Sequence, residues 1–322
     1  MPDGGPGFPP APIPATNART RAGGVGVGGR RARKKQKQKQ RQKKAAKGRA
    51  RVRSGAPARP RATAATSDKY DLYQRAVQSP QDDVEFLAKL SGRRQTRAAT
   101  HLREDFCGTA LLASHWIRHK PDHTAEGFDN DPEPVAWGLA HNFDPHGIGE
   151  RMRFHVEDVR KPSHRRPDLR VAFNFSYCCF QRRAELLEYF RAVHEDLAEE
   201  GIFVLDLHGG PECQEEMEEE RKVEGGVTYV WEQEAFWPAT HETRCHISFE
   251  FRDGTALRRI FSYDWRLWTV PELCDLLEEA GFPRVESWWE GEDADGEGNG
   301  DFEPDARGDN CLSWIAYVVA QK

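Results

Sequence analysis

Between residues 98 and 207, short apolar runs alternate with segments of helical periodicity. That alternation constrains the fold more than any other property of the chain. Residues 98–102 read as a first strand, followed by a helix with Leu111, Leu112, Trp116 and Ile117 on roughly one face. Residues 125–129 read as a second strand, and Pro132 opens a helix carrying Val135, Trp137, Leu139 and Ala140. A third strand is expected over 152–156 and a fourth over 171–175. A helix over 181–200, stopped by Gly201, then leads to a fifth strand at 202–207. Alternation of this kind builds an open, doubly wound, mostly parallel α/β sheet with both faces covered. Ligands of such sheets bind beyond the carboxyl ends of the strands, and those ends here carry Glu104, Asp129, Asp158 and Asn174.

The flanking segments complete the organisation. Residues 67–95 form a helical cap of two short helices joined at Ser79-Pro80, and 96–210 hold the ligand-binding half of the sheet. After strand 5, alternating segments at 227–233, 245–251 and 257–263, the last two joined around Asp253-Gly254, predict a β-rich insertion over 211–265. Thr269-Val270-Pro271-Glu272 is a capping box, and Leu273, Leu276 and Leu277 give its helix an apolar face. Strands at 285–289 and 313–320 bring the sheet to seven within residues 266–322. The acidic, glycine-rich stretch 290–310 between them is expected to be a flexible loop.

Charge is unevenly distributed. Residues 1–66 hold eighteen Lys and Arg and one acid, leaving 29 basic and 51 acidic residues in the remainder, a formal balance of −22. A tail of Pro, Gly, Ala, Arg, Lys and Gln cannot bury a core and is expected to be disordered. Its run Arg30 to Lys44 suits a solvated extension, nuclear or organellar targeting, or weak contact with RNA or an acidic protein. The acidic body repels nucleic acid, so any such attraction falls to the tail. Seven cysteines without disulfide or metal-ligand spacing suit a reducing compartment, and no metal site is expected. No apolar run approaches a membrane span, so no membrane partner is expected and the expected location is cytoplasmic.

The stretch between the first strand and its helix, Glu104-Asp105-Phe106-Cys107-Gly108-Thr109-Ala110, is similar to the acid-x-Gly-x-Gly-x-Gly motif of the class I S-adenosylmethionine-dependent methyltransferases. Glu104 matches the acid and Gly108 the central glycine. Phe106 and Ala110 stand where the outer glycines would, and Phe106 puts a ring where the family leaves space. Gly127 to Glu133 resembles the family's second-strand motif, Glu157-Asp158-Val159 its third, and Leu197 to Gly201 its turn before the fifth strand. The resemblance spans about residues 67–322 and implies a Rossmann-like methyltransferase fold with S-adenosyl-L-methionine as cofactor. It implies that Asp129, with Asn130 beside it, meets the cofactor ribose, and that Asp158 and Val159 meet the adenine. Glu104 would bind the methionine ammonium or orient the turn. Arg103 would pair with the methionine carboxylate or form a structural ion pair. Tyr73 would close over the cofactor or pack.

Methyl transfer from a sulfonium needs alignment and desolvation more than a catalytic triad. Asn174-Phe175-Ser176-Tyr177 faintly resembles the Asn-Pro-Pro-Tyr motif of amino-group methyltransferases, which makes Asn174 and Tyr177 candidates at the reacting end. His208, just past the fifth strand, is the candidate general base. Trp231, Trp265 and Trp268 in and after the insertion suit a ring or methylammonium acceptor, or simple packing. The leading function is methyl transfer to an N or O nucleophile of a small molecule, less so of a protein. An NAD-dependent oxidoreductase and a non-catalytic RNA-associated adaptor remain as alternatives.

Overall fold

The computed structural model describes residues 62–293 and 298–322. The tail over 1–61, with its run from Arg30 to Lys44, lies outside the described residues. The first described element lies slightly before the expected boundary, a 3-10 turn at Ala64–Thr66 whose Ala64 N–H donates to Thr255 Oγ1 at 3.0 Å. Helices α1 (Lys69–Val77) and α2 (Pro80–Arg94) form the cap. The ligand half then runs β1 (His101–Asp105), α3 (Leu111–His119), β2 (Thr124–Asp129), α4 (Pro132–Gly138), β3 (Met152–Val156), β4 (Leu169–Ala172), α5 (Arg183–Asp196) and β5 (Ile202–Gly209). An insertion of four strands follows: β6 (Met217–Val223), β7 (Val227–Trp237), β8 (Glu242–Glu250) and β9 (Ala256–Arg266). The chain ends with α6 (Val270–Glu279), β10 (Arg284–Glu292), β11 (Gly298–Pro304) and β12 (Trp314–Gln321).

The main sheet has the order β11-β10-β12-β5-β4-β1-β2-β3. Strands β1 to β5 are parallel, while β12 runs antiparallel to both β5 and β10. Strand β1 pairs with β2 on one side and β4 on the other. The connection therefore reverses direction at the end of β1, the place where such sheets open a crevice. One face is covered by α5 and α6, whose Leu186, Phe190, Val193, Leu273 and Leu277 pack on Phe203, Leu205 and Val318. The other is covered by α2 and α3, with Leu87, Leu90, Leu112 and Trp116 against Leu102, Val171 and Val204. The insertion is a separate antiparallel sheet in the order β6-β7-β8-β9. It joins the body through α1, where Leu72 and Ala76 pack on Val227, Ile247 and Phe249. Among the described residues no helix is long and apolar enough to cross a membrane.

Three expectations change. The sheet has eight strands rather than seven, because β11 lies within the stretch expected to be a loop. Its Phe302 packs edge-on to Phe86 and Tyr317, and its acids meet α2, with Lys89 Nζ 2.8 Å from Asp301 and Arg93 Nη1 2.7 Å from Glu303. The acids that made this stretch read as solvated are thus partly paired across the structure. The insertion gains β6, whose glutamates cover an exposed edge and guard it against further pairing. Strand β1 is shifted towards its carboxyl end, and all five residues His101 to Asp105 are buried despite the charges of Arg103 and Asp105.

Those charges are satisfied. Asp105 accepts from Arg103 Nε, Arg170 Nε and the Tyr189 hydroxyl, each at 2.7 Å. Asp196 accepts from Nη1 of both arginines at 3.1 Å, and their Nη2 atoms converge on the Val159 carbonyl at 2.5 and 2.6 Å. Arg103 is wholly enclosed with its guanidinium 3.6 Å above the Phe128 ring. Arg103 is therefore a structural ion pair, and its expected role at a cofactor carboxylate is withdrawn. Breaking a buried network of this kind strands a charge at a cost of about 3–5 kcal/mol. Arg170→Leu should lower the urea unfolding midpoint by the equivalent of that loss, with far-ultraviolet circular dichroism as the readout.

Candidate functional site

The turn after β1 folds back on itself, and the backbone shows how. Phe106, Gly108 and Ala110 all take positive φ, at 54°, 51° and 50°. Every second residue is left-handed, which is the conformation that glycine tolerates best and bulky residues rarely adopt. Phe106 and Ala110, at the positions of the motif's outer glycines, thus take a backbone that glycine reaches more easily. The Phe106 ring does not enter the space above the turn. It packs down against Phe180 and Tyr189, with centroids 6.0 and 5.9 Å away. A Cβ at Gly108 would meet nothing within 4 Å, so the face above the turn is open.

Two carboxylates hold the turn. Asp129, at the end of β2, accepts from Gly108 N–H at 2.7 Å and from Asp131 N–H at 2.9 Å. Burial raises its carboxyl above the ordinary range. Glu104 accepts from Ala113 N–H, in the first turn of α3, at 2.9 Å. Its burial, more than the neighbouring acids, pushes it up to about 8. Thr109 is gripped from two further elements. Gln74 of α1 donates to its hydroxyl at 2.7 Å, and Asn142, in a π-helical turn after α4, donates to its carbonyl at 2.8 Å. Gly138 makes this approach feasible, because a Cβ there would lie 2.3 Å from the Thr109 carbonyl oxygen. Gln74, Gly138 and Asn142 carried no recognisable signal in the sequence.

The neighbouring strand ends complete the edge. Asn130 and Asp158 are exposed, and Asp158 chelates Arg160 with contacts of 2.9 and 2.6 Å. Val159 is buried and gives its carbonyl to the two enclosed arginines. Beyond β4, which ends at Ala172 rather than Phe175, Asn174 and Phe175 both have φ of 58°. Their N–H groups donate to the two oxygens of Asp206 on β5, each at 2.9 Å. Burial lifts Asp206 to about 7. Asp206 is a clamp that sequence reasoning missed, since it stood inside an expected strand.

The remaining candidates divide. His208 lies beside the Phe175 ring, at 4.4 Å, and burial lowers its imidazole to about 4. Tyr177 is fully buried in the core against α5, and its hydroxyl has no partner among the described residues. It is enclosed by protein, so its candidacy at the reacting end is withdrawn. Tyr73 sits between the cap and the insertion with its ring 5.1 Å from Phe261, and burial pushes its hydroxyl up to about 12. Trp231 and Trp265 pack with Tyr263 on the insertion sheet. Trp268 instead lies under the Arg266 guanidinium, 3.8 Å away, and lines a cavity of about 260 Å³ together with Trp289, Trp314 and His208. The three tryptophans share one apolar cluster, but only Trp268 of them lines the cavity.

No protein-family model matches the chain, and neither does any curated protein. Solved structures do match. A S-adenosylmethionine-dependent methyltransferase from Clostridium acetobutylicum is 17% identical, with a TM-score of 0.58 over 78% of this chain and 96% of that one. CalS10, an amino pentose methyltransferase from Micromonospora echinaspora solved with SAM bound, is 19% identical, with a TM-score of 0.57 over 84% and 99%. DesVI from Streptomyces venezuelae is 20% identical, with a TM-score of 0.57 over 78% and 95%. The chain has the methyltransferase fold. Within that fold the open turn above Gly108, the carboxylates of Asp129 and Glu104, and the Asp206 clamp all lie on the carboxyl edge of the sheet.

The two raised carboxyls set a pH dependence. Glu104 and Asp206 keep their protons in the folded chain where the unfolded chain has already released them. Their stabilising contribution is complete below about pH 4 and is lost as pH rises through about 7 and 8. The melting temperature of the ligand-free protein should fall between pH 6 and pH 8.5. Glu104→Gln should flatten the upper part of that decline, and an unaltered slope would assign it to other groups.

Proposed function

We propose that this protein is a S-adenosylmethionine-dependent methyltransferase acting on a small molecule. The observation that carries this reading is the left-handed alternation at Phe106, Gly108 and Ala110, with the turn tied to Asp129 at the end of the next strand. The donor set suits a cationic nucleoside: an open backbone turn, one half-buried carboxylate beside it, and a buried carboxyl beneath. When bound, S-adenosylmethionine supplies a methyl group on a positively charged sulfur.

The residues then have distinct tasks. Asp129, with Asn130 beside it, accepts from ribose hydroxyls in this reading, through the remaining lone pairs of oxygens that also hold the Gly108 and Asp131 N–H groups. Glu104 orients the turn through Ala113 and contributes negative charge when ionised. Asp158 and Val159 form the adenine side, and Gln74 ties the cap, which carries Tyr73, to the turn through Thr109. Asn174 stands at the reacting end in a conformation imposed by Asp206. The Asn-Pro-Pro-Tyr motif has prolines where this chain has Phe175 and Ser176, and here Asp206 holds the turn by accepting from two consecutive N–H groups. The amino pentose methyltransferase among the structural neighbours supports a small-molecule acceptor. We infer a cytoplasmic setting from the cysteine content.

Thermal denaturation tests the cofactor. S-adenosylhomocysteine at a hundredfold excess over its dissociation constant should add about 2.7 kcal/mol of stability. For a body of this size that is a rise of roughly 5–10 °C. NAD should produce no rise, and Asp129→Ala should abolish the effect of S-adenosylhomocysteine. A variant that shifts as far as the parent protein would remove Asp129 from the site.

A further inference from the structure

The cavity beyond β5 has a chemistry that narrows the acceptor. It lies where the end of β5, the segment before α6, β10 and the start of β12 meet. Trp268, Trp289 and Trp314 supply aromatic walls, and Leu267, Val270 and Pro271 supply aliphatic ones. None of the described residues lining it is Asp, Glu, Lys or Arg. In a body as acidic as this one, a cleft lined by no carboxylate is a specific feature; its imidazoles are those of His208 and His241, and the Arg266 guanidinium lies over the Trp268 ring. A charged acceptor entering it would lose hydration and meet no carboxylate, lysine or arginine in the lining to pair with. A flat, neutral ring system would bury its faces against indole instead.

The cavity meets the turn after β4 through one ring contact, that of His208 with Phe175. The chain leaves β4 at Ala172 and turns through left-handed Asn174 and Phe175 over Asp206 of β5, which brings the Phe175 ring to His208, two residues further along β5. Adjacent strands lie about 4.8 Å apart, and the Phe175 and His208 rings are in contact across that gap. Within the described residues the His208 ring makes no hydrogen bond, although it lines the cavity.

We propose that this cavity receives an uncharged aromatic hydroxy compound of one or two fused rings, and that His208 accepts its hydroxyl proton during methyl transfer. The proposal rests on the methyltransferase reading above. In the step, the acceptor O–H bond breaks and its proton passes to an imidazole nitrogen of His208. An oxygen lone pair forms the new bond to the methyl carbon, and the sulfur–methyl bond breaks with its electron pair staying on sulfur. One positive charge leaves sulfur as another arises on the imidazole, so the site carries the same net charge throughout. That balance offsets the burial which otherwise keeps the ring neutral. Trp289 and Trp314 enter as walls that the sequence did not single out, and Trp268 is retained from the expected aromatic group.

Binding and turnover test this separately. With S-adenosylhomocysteine present, 2-naphthol should quench tryptophan fluorescence saturably, whereas 1-naphthylmethylamine and 2-naphthoate, both charged at pH 7, should not. Val270→Trp, which fills the cavity from its rim, should weaken 2-naphthol binding at least tenfold while preserving the thermal shift by S-adenosylhomocysteine. With S-adenosylmethionine, mass spectrometry should detect the methyl ether of 2-naphthol. His208→Gln should lower its rate of formation by about 100-fold or more while changing 2-naphthol affinity less than threefold. If S-adenosylhomocysteine binds but the charged amine is methylated in preference to naphthol, the acceptor proposal falls and the methyltransferase reading stands. If naphthol is methylated equally well by His208→Gln, the proton-accepting role falls. Absence of any thermal shift by S-adenosylhomocysteine would overturn both readings, whatever naphthol does.

Discussion

The buried pairing of Arg103 and Arg170 with Asp105 and Asp196 is the constraint on which the rest of the ligand edge depends. It joins β1, β4 and α5, and through the Val159 carbonyl it also fixes the loop after β3. Four charges out of water are expensive, and they are tolerated because each guanidinium meets two carboxylates and a carbonyl. The arrangement sits directly beneath the turn, since Asp105 precedes Phe106 and its partner Tyr189 packs on the Phe106 ring. A left-handed phenylalanine is costly. Here the ring's packing helps to hold a backbone shape that glycine would reach without help.

Above that foundation, the site is assembled by contacts between parts of the chain that are distant in sequence. Thr109 is held from α1 and from the π-helical turn after α4. The same α1 buries Leu72 and Ala76 against the insertion sheet. One short helix therefore touches both the turn after β1 and the insertion sheet, which places the insertion relative to the turn. On the other side of the switch point, Asp206 reaches from β5 to fix the turn after β4. Both halves of the edge follow one design, in which a carboxylate on one strand accepts from backbone N–H groups of the turn after its neighbour. That device needs neither glycines nor prolines at every position, and this chain lacks several of them.

Much of the architecture was legible from local patterning. The strand and helix alternation, the capping box at Thr269 and Glu272, and the carboxylates at strand ends depend on neighbours in the chain, and all appear in the structure. The loop expected over 290–310 was misread because Asp301 and Glu303 find their basic partners on α2, about 200 residues earlier. Arg103 was open between two roles because its surroundings are supplied by Asp196 and Val159, far along the chain. Tyr177 resembled a motif tyrosine, but the turn before it rotates the ring into the core.

The sequence by itself determined the order of elements and which strand ends carry acids, because periodicity and turn chemistry act over a few residues. Tertiary structure alone decided which of those acids are bonded to backbone, where the Phe106 ring goes, and which tryptophans share a cavity. Trp268, Trp289 and Trp314 come from three separate segments, and His208 from a fourth. Their meeting is set by how the insertion and the last strands pack at the sheet's edge. The energies that fix it, burial and charge pairing, depend on neighbours in space rather than along the chain.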